Sequence, residues 1–179
     1  MQIEKTFQVK EPIDKVWDLL RDPIRVAACV PGAKITEKLD DKTYKGSISV
    51  KVGPSVTDYK GELEIVRLDP QLHEIEILGR GQDIRGRGSA SMKMTGKLRA
   101  LDGDSTEVAS ISEINVIGIL AQMGSRVINE VSNIIFAQFT KNMQAQLVQG
   151  ANTAEAETKP LSATSVAWQA AKGVFRKES

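Results

Sequence analysis

Few of the residue types that carry out covalent or metal chemistry occur in this chain. It has one histidine, His73, and one cysteine, Cys29, and the two lie far apart in the sequence. A catalytic triad or a zinc site needs three or four converging groups, so this pair falls short of either. Cys29 lies among small apolar residues, where a cysteine usually behaves as a buried hydrophobe. We therefore predict no catalytic residue and no metal ligand.

The segment 79–88 is rich in both glycine and positive charge. It reads GRGQDIRGRG and contains Arg80, Arg85 and Arg87. A phosphate-binding loop joins a strand to a helix, whereas strand-like sequence lies on both sides of this segment. A hairpin is therefore the better interpretation. The three arginines either contact an anionic head group or an acidic partner, or they are simply solvated.

The composition is that of one globular domain with a short appendage. The 179 residues are 41% hydrophobic and 26% charged, with a formal net charge of +1. So small a charge argues against an extended nucleic-acid surface, and a single cysteine excludes an intramolecular disulfide. The sequence shows neither a signal peptide nor an apolar run long enough to cross a bilayer. We therefore expect a cytoplasmic protein that does not bind nucleic acid.

Alternating and helical patterns predict the elements that position these residues. Residues 3–9 alternate apolar and polar side chains and predict a strand, and two short helices follow before Pro31. From Ala33 onward, turn signals separate six further strands. Short turns between long strands favour antiparallel pairing. The six strands are predicted at 34–39, 43–52, 55–68, 74–82, 88–101 and 105–116.

A proline-free stretch from 118 to 149 predicts a long C-terminal helix. Its apolar residues recur at three- and four-residue steps, the spacing of an amphipathic helix with one buried stripe. Such a helix would lie across the sheet and cover it, with any ligand between the two. The apolar stripe consists of Leu120, Met123, Val127, Val131, Ile134, Ile135 and Phe139.

Several separated motifs resemble those of the CoxG family of carbon monoxide dehydrogenase proteins. They occur in order over roughly residues 1–147: DP at 22–23, AACVPG at 27–32, VKVGP at 50–54, YKG at 59–61, LDP at 68–70, GRGSA at 86–90 and LAQMGSR at 120–126. The resemblance implies an α+β fold of the START-like helix-grip (SRPBCC) superfamily. In that fold, a curved seven-stranded antiparallel sheet wraps around a long C-terminal helix, and two short helices follow the first strand. An apolar cavity lies between the helix and the sheet.

An apolar ligand needs little more than an aliphatic lining, because burying apolar surface contributes roughly 25 cal/mol per Å². The alternative for each candidate residue is ordinary core packing. Alternation shows which residues share a face, but not whether that face encloses a space. The predicted lining residues are Val50, Val52, Ile65, Ile77, Met92, Met94 and Ile114 from the strands, and Leu120, Met123, Val127, Val131 and Ile134 from the helix.

The sequence changes character beyond residue 149. Residues 150–160 are small and polar and predict a flexible linker after a domain of residues 1–149. Residues 161–179 predict an amphipathic helix whose aromatic face and basic end suit an anionic membrane or a partner. A tail that docks on its own domain or stays disordered is the alternative. The predicted docking residues are Leu161, Trp168, Lys172, Phe175, Arg176 and Lys177, together with Arg80, Arg85 and Arg87.

The resemblance also implies a function, that of a non-catalytic binding and recruitment protein. Such a protein would link a molybdenum-containing carbon monoxide dehydrogenase, or a related hydroxylase, to the respiratory chain. The implied ligand is a lipid or a menaquinone- or ubiquinone-like quinone, with no other cofactor. The implied location is peripheral, on the inner face of the cytoplasmic membrane. A ligand-free assembly factor of the dehydrogenase and a polyketide cyclase- or hydrolase-like enzyme remain as alternatives.

Overall fold

Seven strands and three helices follow one another in the predicted order within residues 1–156. This range is the part of the chain whose backbone the computed structural model describes, and side chains are described through residue 150. The strands are β1 (Gln2–Val9), β2 (Ala33–Lys38), β3 (Thr43–Val52), β4 (Ser55–Asp69), β5 (Glu74–Asp83), β6 (Gly88–Leu101) and β7 (Ser105–Gly118). The helices are α1 (Ile13–Leu20), α2 (Pro23–Cys29) and α3 (Gly124–Ala156). The strands form one antiparallel sheet in the order β1-β7-β6-β5-β4-β3-β2.

One face of the sheet carries α3, and we call it the inner face. Phe7 of β1 identifies it, because its ring centroid lies 5.5 Å from that of Phe136 and 6.3 Å from that of Phe139, both on α3. Residues directly opposite each other in antiparallel strands point to the same side. Phe7 is opposite Val108, which is opposite Leu98, and the same register extends the inner face across the sheet.

Two separate clusters of buried apolar residues lie on the inner face. The first packs α1, α2 and the C-terminal half of α3 against β1, β6 and β7. Its members from α3 are Met143 and Leu147, which are 0% and 1% exposed. The second cluster contains no residue of α3 and is formed by Tyr44, Ile65, Ile75 and Ile77, with Ile35, Leu63 and Met94 packed against it. A domain usually has one contiguous core, so the separation leaves residues 124–138 of α3 outside both clusters.

The C-terminal half of α3 is also hydrogen-bonded to α2. Asn142 Nδ2 donates to the carbonyl of Cys29 at 2.9 Å, and Gln146 Nε2 donates to that of Arg25 at 3.4 Å. Both carbonyls lie in the last turns of α2, where helix carbonyls lack intrahelical partners. At the other end of α2, the Asp22 carboxylate accepts the backbone N–H of Ile24 at 2.9 Å and caps the helix. These bonds fix α3 at one end of the sheet.

The N-terminal boundary of the long helix differs from the prediction. Gly118 ends β7 with φ +93°, residues Ala121–Met123 form a 3₁₀ turn, and α3 begins only at Gly124, whose φ is +82°. A φ in this left-handed region cannot continue a right-handed helix. Leu120 and Met123 therefore precede α3 and do not belong to its stripe.

The C-terminal boundary also differs. α3 continues to Ala156, so the first seven residues of the predicted linker, 150–156, are helical. The physical reason is that Gly150 costs a helix only about 1 kcal/mol, and no proline interrupts the chain before Pro160. Residues 1–147 form one compact unit. The rest of the predicted linker and the predicted amphipathic helix at 161–179 lie outside the described residues. Within residues 1–156, no helix has the length and apolar character needed to cross a membrane.

Candidate ligand-binding site

The seven strand residues proposed to line a cavity all point to the inner face. Met92 is opposite Ile114, and Ile77 is opposite both Met94 and Ile65. Their burial differs along the sheet. The buried members are Val52, Ile65 and Ile77, and the half-buried members are Val50, Met92, Met94 and Ile114. Strand alternation therefore predicts the shared face correctly, and the half-buried members mark its less tightly packed part.

The side of α3 that faces the sheet is rotated by about one residue from the predicted stripe. Ile134 was expected in the lining, but its side chain is 70% exposed, so this assignment was wrong. The neighbouring Ile135 is half-buried instead. The most buried line along the helix runs through Ile128, Ser132, Ile135, Phe139 and Met143.

The remaining helix candidates lie at the margin of that line or before it. Val127 and Val131 are half-buried, as are Leu120 and Met123 in the connection ahead of α3. Two parallel apolar stripes one residue apart cannot be distinguished by their period of 3.6 residues. Ile128 and Phe136 were missed for this reason.

A row of residues without side chains beyond Cβ crosses the inner face, and we call it the glycine row. Gly46 is opposite Gly61, Gly61 is opposite Gly81, and Gly81 is opposite Ala90. On either side of the row the register places larger side chains, among them Tyr59 and Met92. Glycines spaced along single strands give no sequence signal that they align across three strands, so this row was not predicted.

Polar side chains also reach the inner face. Lys5 Nζ donates a hydrogen bond to Asn133 Oδ1 of α3 and lies 5.4 Å from the centroid of the Phe136 ring. The Tyr59 side chain is 4% exposed, and its hydroxyl oxygen is buried without a hydrogen-bond partner. Burial, and then the negative charge of Asp83, raise the pKa of Tyr59, so its hydroxyl stays protonated. Tyr59 lies in one of the family motifs but was not predicted as a site residue.

The three arginines predicted as docking residues have different environments. Arg87 Nε donates to Asp83 Oδ2 at 2.9 Å, while the backbone N–H of Arg85 donates to the other oxygen at 2.8 Å. The hydrogen bond from Arg85 and the charge of Arg87 hold the pKa of Asp83 below its usual value. Arg80 points to the outer face, opposite Glu62. Arg87 thus holds the turn after β5, and the exposed side chains of Arg80 and Arg85 remain for contacts with other molecules.

The two residues considered for nucleophilic or acid–base chemistry have packed environments. Cys29 is fully buried in the first cluster, and burial raises the pKa of its thiol despite the opposing charge of Arg25. His73 lies in the β4–β5 turn with φ 51°, and its ring packs edge-on against Trp17 at 5.3 Å. Among the residues that the structure describes, no group of histidine, cysteine and acidic side chains is arranged to hold a metal ion.

Two shallow depressions, of about 650 and 520 Å³, also occur on the sheet. Both are bordered by Arg80, Ser91 and Asn115. The register places these three side chains opposite one another on the outer face, away from α3. These depressions are therefore distinct from the space that was predicted between the helix and the sheet.

Solved structures with the same architecture come from several bacteria. A conserved protein from Geobacillus kaustophilus superposes with a TM-score of 0.75 at 20% identity, covering 83% of this chain and 96% of its own. A START superfamily protein from Mycobacterium smegmatis gives 0.57 at 11% identity, with coverages of 83% and 97%. The Zhui aromatase/cyclase from Streptomyces sp. R1128 gives 0.54 at 16% identity, with coverages of 85% and 93%. At these identities the likeness shows the fold alone, which is START-like.

Sequence comparison supplies the family. A comparison with curated protein sequences gives no match. The family model for the carbon monoxide dehydrogenase protein CoxG matches residues 6–148, which include all seven strands and most of α3. The resemblance drawn from the motifs is confirmed by this match. The chain therefore belongs to the CoxG family of carbon monoxide dehydrogenase proteins and has the START-like helix-grip fold.

Proposed function

We propose that this protein binds a hydrophobic small molecule, a lipid or a quinone-like compound, between the inner face and the N-terminal half of α3. We further propose that it is not an enzyme and that it links a molybdenum-containing dehydrogenase of the carbon monoxide dehydrogenase type to the membrane and the respiratory chain. The family and the fold support a ligand-binding role. The partner, the ligand and the membrane are proposals that go beyond them.

The observation that carries the binding role is the pattern of burial on the inner face. Met143 and Leu147 are buried at one end of α3, whereas Ile128 and Ile135 are only half-buried. The sheet residues Met92 and Ile114 are half-buried as well, and the glycine row adds no side chains to the space. Half-buried aliphatic side chains on two facing elements gain free energy when an apolar ligand removes them from water. Methionine suits such a lining because its side chain adapts to irregular shapes.

A non-catalytic role is the best interpretation of the polar groups on the inner face. An acid–base enzyme needs a titratable side chain that can exchange protons with its substrate. Lys5 is hydrogen-bonded to Asn133, and Asp83 is bound by Arg85 and Arg87. The cyclase among the structural neighbours supports a shared fold and a shared place for a ligand, but no specific residue here matches a catalytic role.

Ile135→Trp should reduce the amount of bound ligand about tenfold or more. An indole on the sheet-facing side of α3 would occupy the proposed space, and forcing a large side chain into filled space costs about 1–3 kcal/mol. Ile134→Trp is the matched control, because the adjacent Ile134 is 70% exposed and its replacement leaves the space unchanged. The measurement is mass spectrometry of organic extracts from each full-length protein, purified from the native host without detergent.

Equal ligand content in the two folded variants would count against binding beneath α3. An empty wild-type protein, correctly folded by circular dichroism, would favour the ligand-free assembly factor. Conversion of an extracted compound by the purified protein would favour an enzyme.

Membrane recruitment is expected to depend on the tail. Residues 161–179 combine an aromatic apolar face with three cations, and two such signals together give reversible binding to an anionic membrane. Deletion of these residues should move the protein from the membrane fraction to the supernatant. In the full-length protein, Arg80→Glu with Arg85→Glu should weaken membrane binding, whereas Arg87 is kept because it holds the β5–β6 turn. Unchanged fractionation after the deletion would refute recruitment through the tail.

A further inference from the structure

The hydroxyl of Tyr59 is an unsatisfied hydrogen-bonding group inside the fold. Tyr59 lies on β4 and points to the inner face, where it is opposite Ile48 on β3 and Asp83 on β5. Among the side chains of residues 1–150, its oxygen is the one buried nitrogen or oxygen without a hydrogen-bond partner. Buried polar groups are nearly always paired, so an exception of this kind calls for a physical explanation.

The position of the ring connects this hydroxyl to the glycine row. A methyl group placed on Gly81 would lie 3.5 Å from Cβ and 3.8 Å from Cδ1 of Tyr59, so the ring leans toward the row at Gly81. Gly61 and Gly46 continue the row on the other side. A ligand that lies along the row meets backbone and the edge of the phenol, with no intervening side chain to displace.

The neighbouring charges determine what kind of group the hydroxyl can bind. Asp83 is the carboxylate nearest in register, but its two oxygens already accept from Arg85 N–H and Arg87 Nε at 2.8 and 2.9 Å. The phenol is therefore left as a donor. A ligand carboxylate or phosphate would be repelled by the nearby negative charge and would be costly to bury. A neutral acceptor, such as a carbonyl or ether oxygen, has neither disadvantage.

We propose that the Tyr59 hydroxyl donates a hydrogen bond to a neutral carbonyl-type oxygen of the hydrophobic ligand and so orients the oxygen-bearing end of that ligand at the glycine row. This inference rests on the proposed function, since it assigns one polar contact within the same site. It restricts the ligand to uncharged molecules that carry an acceptor oxygen on an apolar body. A pure hydrocarbon of the same shape lacks this contact.

Tyr59→Phe tests the proposal because it removes the hydroxyl and keeps the ring. The probes are 2-methyl-1,4-naphthoquinone and 2-methylnaphthalene, which share a carbon skeleton and differ in the two carbonyl oxygens. Binding of each to the delipidated full-length protein is measured by isothermal titration calorimetry. We expect the variant to bind the quinone about 2- to 10-fold more weakly and the hydrocarbon with unchanged affinity, because one hydrogen bond is lost.

Tyr44→Phe is the matched control. Tyr44 is 6% exposed, lies on the same face, and belongs to the second buried cluster, but its hydroxyl is not a buried group without a partner. The control should leave the affinity for both probes unchanged. Urea unfolding of the ligand-free variants adds a second readout, because removal of an unsatisfied buried hydroxyl should leave the midpoint of Tyr59→Phe unchanged or raise it.

The outcomes separate this inference from the proposed function. If both probes bind and Tyr59→Phe weakens neither, or weakens both equally, the Tyr59 contact is wrong while ligand binding stands. A clear fall in the urea midpoint of Tyr59→Phe would show that the hydroxyl has a structural partner, and this also overturns the inference. If the folded wild-type protein binds neither probe, the proposed binding function fails and the Tyr59 contact fails with it.

Discussion

Gly61→Ala should destabilise the fold by at least about 3 kcal/mol, the upper range for overpacking a well-packed interior. A Cβ atom at position 61 would lie 1.8 Å from the carbonyl oxygen of Arg80 and 2.7 Å from the Cα of Gly81. These are backbone atoms of the neighbouring strand, so no side-chain rotation can relieve the clash. β4 and β5 would have to move apart at this point of close approach.

The matched control is Gly79→Ala, also on the inner face. A methyl group at position 79 would meet only the Met92 side chain, at the ordinary contact distance of 3.7 Å from its terminal methyl group. Its effect on the free energy of unfolding should stay within about 1 kcal/mol. Thermal unfolding of both variants provides the measurement, with an expected fall of about 6–12 °C for Gly61→Ala. Equal stability of the two variants would mean that β4 and β5 are not in this close contact.

Leu147→Ala should lower the free energy of unfolding by about 3 kcal/mol, within the range of about 2–5 kcal/mol for a buried leucine. Leu147 is 1% exposed and belongs, with Met143, to the cluster that joins α3 to the two short helices and the sheet. Its truncation removes apolar contacts and leaves a cavity at the site where α3 is anchored. The measurement is urea denaturation followed by circular dichroism.

Ile134→Ala controls for the loss of the same number of carbon atoms from the same helix. Because Ile134 is 70% exposed, its truncation should change the free energy of unfolding by no more than about 0.5 kcal/mol. The difference between the two variants reports where along its length α3 is anchored. A larger loss for Ile134→Ala would place the anchor in the N-terminal half and remove the space proposed for the ligand.

Anchoring at one end gives α3 a simple relation to ligand binding. Asn142 and Gln146 add hydrogen bonds to α2 in the same region as Met143 and Leu147. The N-terminal half contacts the sheet through the Phe7–Phe136 ring pair and the Lys5–Asn133 hydrogen bond at the β1 edge. A ligand beneath this half would therefore complete packing that the chain itself leaves open.

Local sequence signals were enough to predict the order of elements and the inner face of the sheet. Gly53-Pro54, Asp69-Pro70 and residues 102–104 form turns from their own backbone preferences, whatever the rest of the chain does. Strand alternation then places alternate side chains, such as Met92 and Met94, on one face without knowledge of the partner strand. The motifs also identified the family, which the match over residues 6–148 confirms.

Long-range packing, in contrast, sets which side of α3 meets the sheet, where the two cores end and which residues lie opposite one another. Ile134 and Ile135 are equally apolar neighbours, and the anchoring of Met143 and Leu147 selects Ile135 for the inner side. The alignment of Gly61 with Gly81, and the lack of a partner for the Tyr59 hydroxyl, follow from strand register and tertiary contacts. These features arise between residues distant in sequence, and no local pattern of residue types encodes them.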